Sequence, residues 1–178
     1  MAKITAAFPA SWWRFLVAAV LRGVPLAFAY ALAVGVAVLV NVALMDQAFG
    51  GRVTTLVVIF VLGSLFGGVF AYGTGAFFGR GRSSSQRFAA MMAGLVFFTG
   101  GVTTAFYALQ FRAYFVSSHD PFLQGYWLQQ NLMTMAAAVY QFATAGLRYL
   151  LPAGLPVLFG AALLFSVSAR RFNADWRD

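Results

Sequence analysis

The sequence has no cysteine, no glutamate and a single histidine, His119. Without cysteine there is no disulfide, no thiolate nucleophile and no thiolate metal site, and the redox compartment stays open. One histidine cannot supply both axial ligands of a bis-histidine haem. Acids are nearly missing as well: Asp46, Asp120, Asp175 and Asp178 stand near the ends of apolar runs or in polar segments. That placement removes most intramembrane proton relays. Asp46 and Asp120 belong to different connections, which removes a hydrolase built on paired carboxylates. His119, Asp120 and Asp46 lack a recognised ligand spacing, so His119 reads as a solvated loop residue and no metal is expected.

Other reactive constellations are missing too. The serines of "RSSSQR" have no local histidine or acid to activate them. "GGVFAYGTG", Gly67 to Gly75, lies inside an apolar run instead of between a strand and a helix, so it is not a phosphate loop. The expectation is a protein without catalytic residues and without a cofactor, not an enzyme.

Charge itself is scarce, 9% of 178 residues, against ~25% in an ordinary soluble domain. A soluble chain of this length needs more charge than that to cover one core, and 62% of the residues are hydrophobic. Lipid is therefore the expected solvent. The formal charge of +8 does not indicate nucleic acid, because the arginines punctuate apolar runs and form no clustered solvated face.

Uncharged runs cover residues 23–45, 53–79, 88–111 and 149–169. Each can cross a bilayer core, which takes about 20 helical residues. In hydrocarbon each backbone group must be paired within its own segment, so all four are expected to be helices. The fold class is all-α: one membrane domain over 1–178, a bundle of four transmembrane helices with two accessory helices.

Basic residues set the direction of insertion. Arg14 and Arg22 precede the first span, Arg80, Arg82 and Arg87 sit between the second and third, and Arg170 and Arg171 follow the fourth. Cytoplasmic flanks retain such charges, and these arginines suit lipid headgroups, so both termini are expected in the cytoplasm. An Ala27-Phe28-Ala29 pattern resembles a signal cleavage site, but Arg22 interrupts the apolar segment and hydrophobicity continues to Met45, which favours an uncleaved span. The short, cysteine-free chain points to a bacterial inner membrane.

The first accessory helix, residues 9–22, combines tryptophan and arginine and is expected on the headgroup layer, with a bend at Pro25. The second, residues 122–147, is uncharged but rich in glutamine. Counting it as a span would move Arg170 and Arg171 outside, so it is expected to be amphipathic and extracytoplasmic. It would lie along the outer interface or extend the last span. Leu128, Leu132, Met135, Val139 and Phe142 form an apolar seam at helical spacing, suited to capping the bundle or docking a partner helix.

Gly63, Gly67, Ala71, Gly75 and Gly79 are four apart and form one row on a helix. In lipid, helices associate through close backbone approach, which small residues permit, so the row reads as a packing groove. Small residues on other spans offer matching surfaces: Ala27, Ala31 and Gly35, with Ala29, Ala33 and Ala37 beside them, on the first, and Gly100, Thr104 and Ala108 on the third. Asn41, Thr99, Thr103, Thr104, Tyr72 and Tyr107 are polar at depth and can hydrogen-bond across helices.

"GGVTTAF", Gly100 to Phe106, resembles part of the glycine, threonine and phenylalanine motif in the third span of the small fluoride channels. The likeness covers seven of 178 residues, lacks the Ser-Thr-Phe continuation and leaves Asn41 too distant, so it transfers no site. Packing surfaces without reactive groups point to a non-catalytic multi-pass subunit of a larger inner-membrane complex for transport, secretion or respiration. Its partners would be lipids and other membrane subunits, or copies of itself. The alternative is a homo-oligomeric channel or small-solute transporter.

Overall fold

The computed structural model describes residues 12–45, 52–114 and 123–175, and all regular structure in them is helical. Asp46, His119 and Asp120, together with residues 9–11, lie outside the described residues. The elements in order are α1 (Trp12–Leu44), α2 (Arg52–Phe78), α3 (Ser84–Tyr114), α4 (Trp127–Gln141), a π-helical turn (Phe142–Gly146), α5 (Leu147–Leu150) and α6 (Gly154–Asp175). Helices α1, α2, α3 and α6 are long and apolar enough to cross a membrane, as in a multi-pass membrane protein. Their outward surfaces carry large apolar side chains such as Phe28, Val36, Phe97 and Leu164, which water would not solvate but acyl chains do.

The element boundaries differ from the sequence expectation in two places. From Trp12 onward there is no separate N-terminal helix: α1 is continuous to Leu44 with Pro25 inside it. The last span starts at Gly154 instead of 149, because Tyr149 belongs to the helix that follows α4. Leu151 is extended (φ −92°, ψ 144°) and joins Pro152 through a cis peptide. The proline ring excludes the α conformation from the residue before it, which ends the helix there.

Helix α2 lies between α1 and α3. On one side Gly68 faces Ala27 and Tyr30, while Gly35 faces Val61 and Gly23 faces Tyr72. On the other side the row of small residues meets α3. A Cβ on Gly67 would stand 2.7 Å from Thr99 Cα, and one on Gly63 2.9 Å from Thr103 Cα. Gly75 abuts Met91, Ala71 faces Gly94, and Gly79 abuts the stem of Arg87. Helix α6 closes the bundle against α1, α2 and α3.

The turn between α2 and α3 is built by local chemistry. Gly81 takes φ +71°, a left-handed conformation that costs glycine nothing. Ser83 and Gln86 then form a reciprocal capping box, each side chain accepting from the other's backbone N–H at 3.3 Å. The serine tract thus starts a helix.

Two buried asparagines finish helix ends that belong to other segments. Asn41 Nδ2 donates to the carbonyls of Tyr149 and Leu150, both at 2.9 Å, and its Oδ1 accepts from Ala153 N–H at 3.3 Å. These are carbonyls that a terminating helix leaves without an intrahelical partner. At the opposite end of the bundle Asn173 Nδ2 donates to Ala76 O at 3.2 Å, near the end of α2.

Candidate functional site

Among the described residues the interior of the bundle holds hydroxyls and no ionised group at mid-depth. Tyr30 and Thr99 share a hydrogen bond of 3.1 Å, and Tyr72 bonds Ser168 at 2.9 Å. Ser64 and Thr103 are fully buried, and their hydroxyls have no partner among the described residues. No grouping of histidine and acids able to hold a metal occurs among the described residues. The sole ion pair among them, Arg22 with Asp175 at 3.1 Å, is exposed.

A cavity of about 460 Å³ lies at the end of the bundle away from the Arg80–Arg82 turn. Its floor is Val53, Leu56 and Ile59 of α2 with Phe111 of α3. Hydrogen-bonding side chains converge on it from three sides: Thr55 from α2, Tyr107, Gln110 and Tyr114 from α3, and Gln141 and Tyr149 from the chain returning above them. Tyr107 is 4% exposed and makes no hydrogen bond among the described residues. Its ring is held edge-on by Phe60 at 6.3 Å, a favourable aromatic geometry.

The returning chain is shaped by its π turn. Gly146 leaves room for the Phe142 ring, which a Cβ at that position would meet at 2.7 Å, and the same ring packs on Gly100 and Phe60. Leu147 N–H bonds the carbonyl of Phe142, five residues back. The wider turn places Gln141 and Ala145 on the cavity wall, and such turns recur at functional sites.

Helix α4 turns its polar stripe inward. Asn131, Thr134, Ala138 and Gln141 are buried or half-buried, whereas Leu128 (64% exposed), Leu132 (61%), Met135 and Val139 face outward. The polar stripe is satisfied locally: Asn131 Nδ2 donates to Trp127 O at 2.6 Å and Thr134 to Gln130 O at 2.8 Å. Asn131 also accepts from Arg112 at 2.6 Å, and Arg112 lies over the Trp127 ring. The expected apolar seam therefore does not cap the bundle, except through Phe142.

The remaining sequence-predicted residues divide in the same way. The face of α3 that receives the α2 row is Arg87, Met91, Leu95, Thr99 and Thr103, not Gly100, Thr104 and Ala108. Gly100 turns toward Phe142, Thr104 bonds its own helix at Gly100 O (2.8 Å), and Ala108 is partly buried. On α1, Ala27, Ala31 and Gly35 are buried, but Ala29 is exposed. Arg14, Arg82, Arg170 and Arg171 are exposed, and Arg80 lies over Phe15 at 5.0 Å. Arg87 departs from the headgroup role: it is 8% exposed, with its stem under the turn against Gly79.

The cavity is the feature that sequence reading missed. Tyr107 was legible as polar at depth, but its convergence with Gln110 and Gln141 depends on where α4 returns. No family model matches the chain, and no curated protein or solved structure matches it either.

Proposed function

We propose that this chain is a non-catalytic multi-pass subunit of a larger inner-membrane complex serving transport, secretion or respiration, with both termini in the cytoplasm. The supporting observation is the outward seam of α4. The Arg112–Asn131 bond and the buried Ala138 tie the other face of α4 to its own bundle, so Leu128, Leu132, Met135 and Val139 are left to meet a partner helix. Co-purification of the full chain in mild detergent tests this. A stable set of different polypeptides, cross-linked through a cysteine at Leu132, supports the subunit reading; a homo-oligomer that conducts ions or solutes in liposomes defeats it. Reporter fusions at Ser84 and Gln124 test the orientation, which requires them in opposite compartments.

The cavity favours a second reading, a homo-oligomeric channel or small-solute carrier. Its neutral, hydrogen-bonding lining suits an uncharged solute. The row of small residues on α2 offers that reading no path, because α3 occupies it.

A further inference from the structure

We infer that the cavity between α2, α3 and the helix returning through α4 binds an uncharged amphiphile, with an apolar chain on its floor and a hydroxyl- or amide-bearing head among Tyr107, Gln110 and Gln141. This is independent of whether the chain serves as a subunit. The size is right for a ligand, since binding pockets run from about 300 to 1,000 Å³, and the cavity holds about 460 Å³.

The lining decides the chemistry. Among the described residues it contains no carboxylate, ammonium, guanidinium or imidazole. Arg112, which could have reached a phosphate, is engaged by Asn131 and Trp127 instead. A charged head would give up part of its hydration here without gaining a counter-charge from the described residues, which is unfavourable. A neutral head loses less and regains hydrogen bonds. Tyr107 marks where they form: it lines the cavity, and its hydroxyl makes no hydrogen bond among the described residues, which leaves it able to donate to or accept from a bound head.

The floor decides the rest. Val53, Leu56, Ile59 and Phe111 offer only dispersion and apolar contact, which a fully polar solute would not use. An acylated head with free hydroxyls, a monoacylglycerol for example, satisfies both halves of the lining.

The test uses the full chain in nanodiscs and a monoacylglycerol bearing a diazirine on its acyl chain. Photolabelling is expected in the peptides that hold Ile59, Phe111 and Ala145. Lysophosphatidic acid with the same tagged chain should label them more than tenfold less, the penalty for an unpaired buried charge being several kcal/mol. Tyr107→Phe should reduce labelling about fivefold, one hydrogen bond being worth ~1 kcal/mol. Ala145→Phe, which fills the cavity, should abolish it. Should Ala145→Phe fail to fold, Tyr107→Phe combined with Gln141→Leu gives the same reading. Equal labelling by the two lipids, or undiminished labelling in the variants, overturns the assignment. Protection by free glycerol as strong as by unlabelled monoacylglycerol would also overturn it, because the head alone would then suffice.

Discussion

Gly67 and Thr99 meet backbone to backbone: a methyl group on Gly67 would stand 2.7 Å from both the Cα and the amide nitrogen of Thr99. Small residues on α2 accept the larger row of α3 in this way along most of their length. The pairing is a groove filled by a ridge, which is how helix surfaces interlock.

Gly67→Ala is therefore expected to destabilise the protein by about 1–3 kcal/mol, the usual cost of overpacking. Gly101→Ala and Gly160→Ala are the controls, because a Cβ at either position meets nothing within 4 Å. Those two should be neutral or gain up to ~1 kcal/mol from helix propensity. Thermal unfolding of the three variants in one detergent checks this; equal losses would remove the distinction.

Asn41→Leu should open the chain around Pro152. The substitution keeps the bulk but strips partners from two carbonyls and the Ala153 amide, each worth about 1–3 kcal/mol when buried and unmade. Limited proteolysis should show new cleavage between Leu147 and Leu155. An unchanged digestion pattern would mean that other groups take over the three bonds.

The mid-depth hydroxyls should respond with opposite signs. Thr99→Val removes the partner of Tyr30 and is expected to cost about 0.5–1.5 kcal/mol. Thr103→Val removes a buried hydroxyl that has no partner among the described residues, so it should be neutral or stabilising. A double-mutant cycle of Tyr30→Phe with Thr99→Val should give a coupling near ~0.6 kcal/mol, typical of hydrogen bonds between membrane helices.

Since the chain has no cysteine, single introduced cysteines report cleanly on their surroundings. Arg82→Cys, on the exposed turn, should react with a water-soluble maleimide in proteoliposomes opened to both sides. Leu132→Cys should react only after detergent is added, although its position is 61% exposed in the isolated chain. Equal reactivity before detergent would place the outer face of α4 in water.

Four apolar helices were legible because hydrocarbon imposes one simple requirement, a long uncharged run with its backbone bonds closed internally. The α2 row was legible for a similar reason, as a repeat of four with few other uses. Its counterpart was not. Small residues on α1 and α3 match it in size, yet a groove is best filled by larger residues, and the Met91, Leu95, Thr99 and Thr103 row has no compositional mark. Exposure on α4 was open in the sequence, where the seam suited either capping the bundle or docking a partner. An amphipathic helix turns its apolar side inward when water is outside and outward when lipid is outside, and the pattern alone does not say which.

Arg87 shows the same limit. Position in a basic turn groups it with Arg80 and Arg82, whereas the capping box at Ser83 and Gln86 starts α3 early enough to place it on the helix face opposite Gly79. The Ser-x-x-Gln signature was readable in advance, and reading it would have moved Arg87 from the headgroups to the interface.

The two asparagines that complete distant helix ends also bear on the order of synthesis. Asn41 leaves the ribosome more than a hundred residues before the carbonyls it binds, while Asn173 emerges 97 residues after the Ala76 carbonyl to which it donates. Neither extremity of the bundle is finished until the segment after α4 has been made. A nascent chain stalled before Tyr149 would carry a bare amide at one extremity and an uncapped carbonyl at the other, the kind of intermediate that insertases shelter and membrane proteases remove.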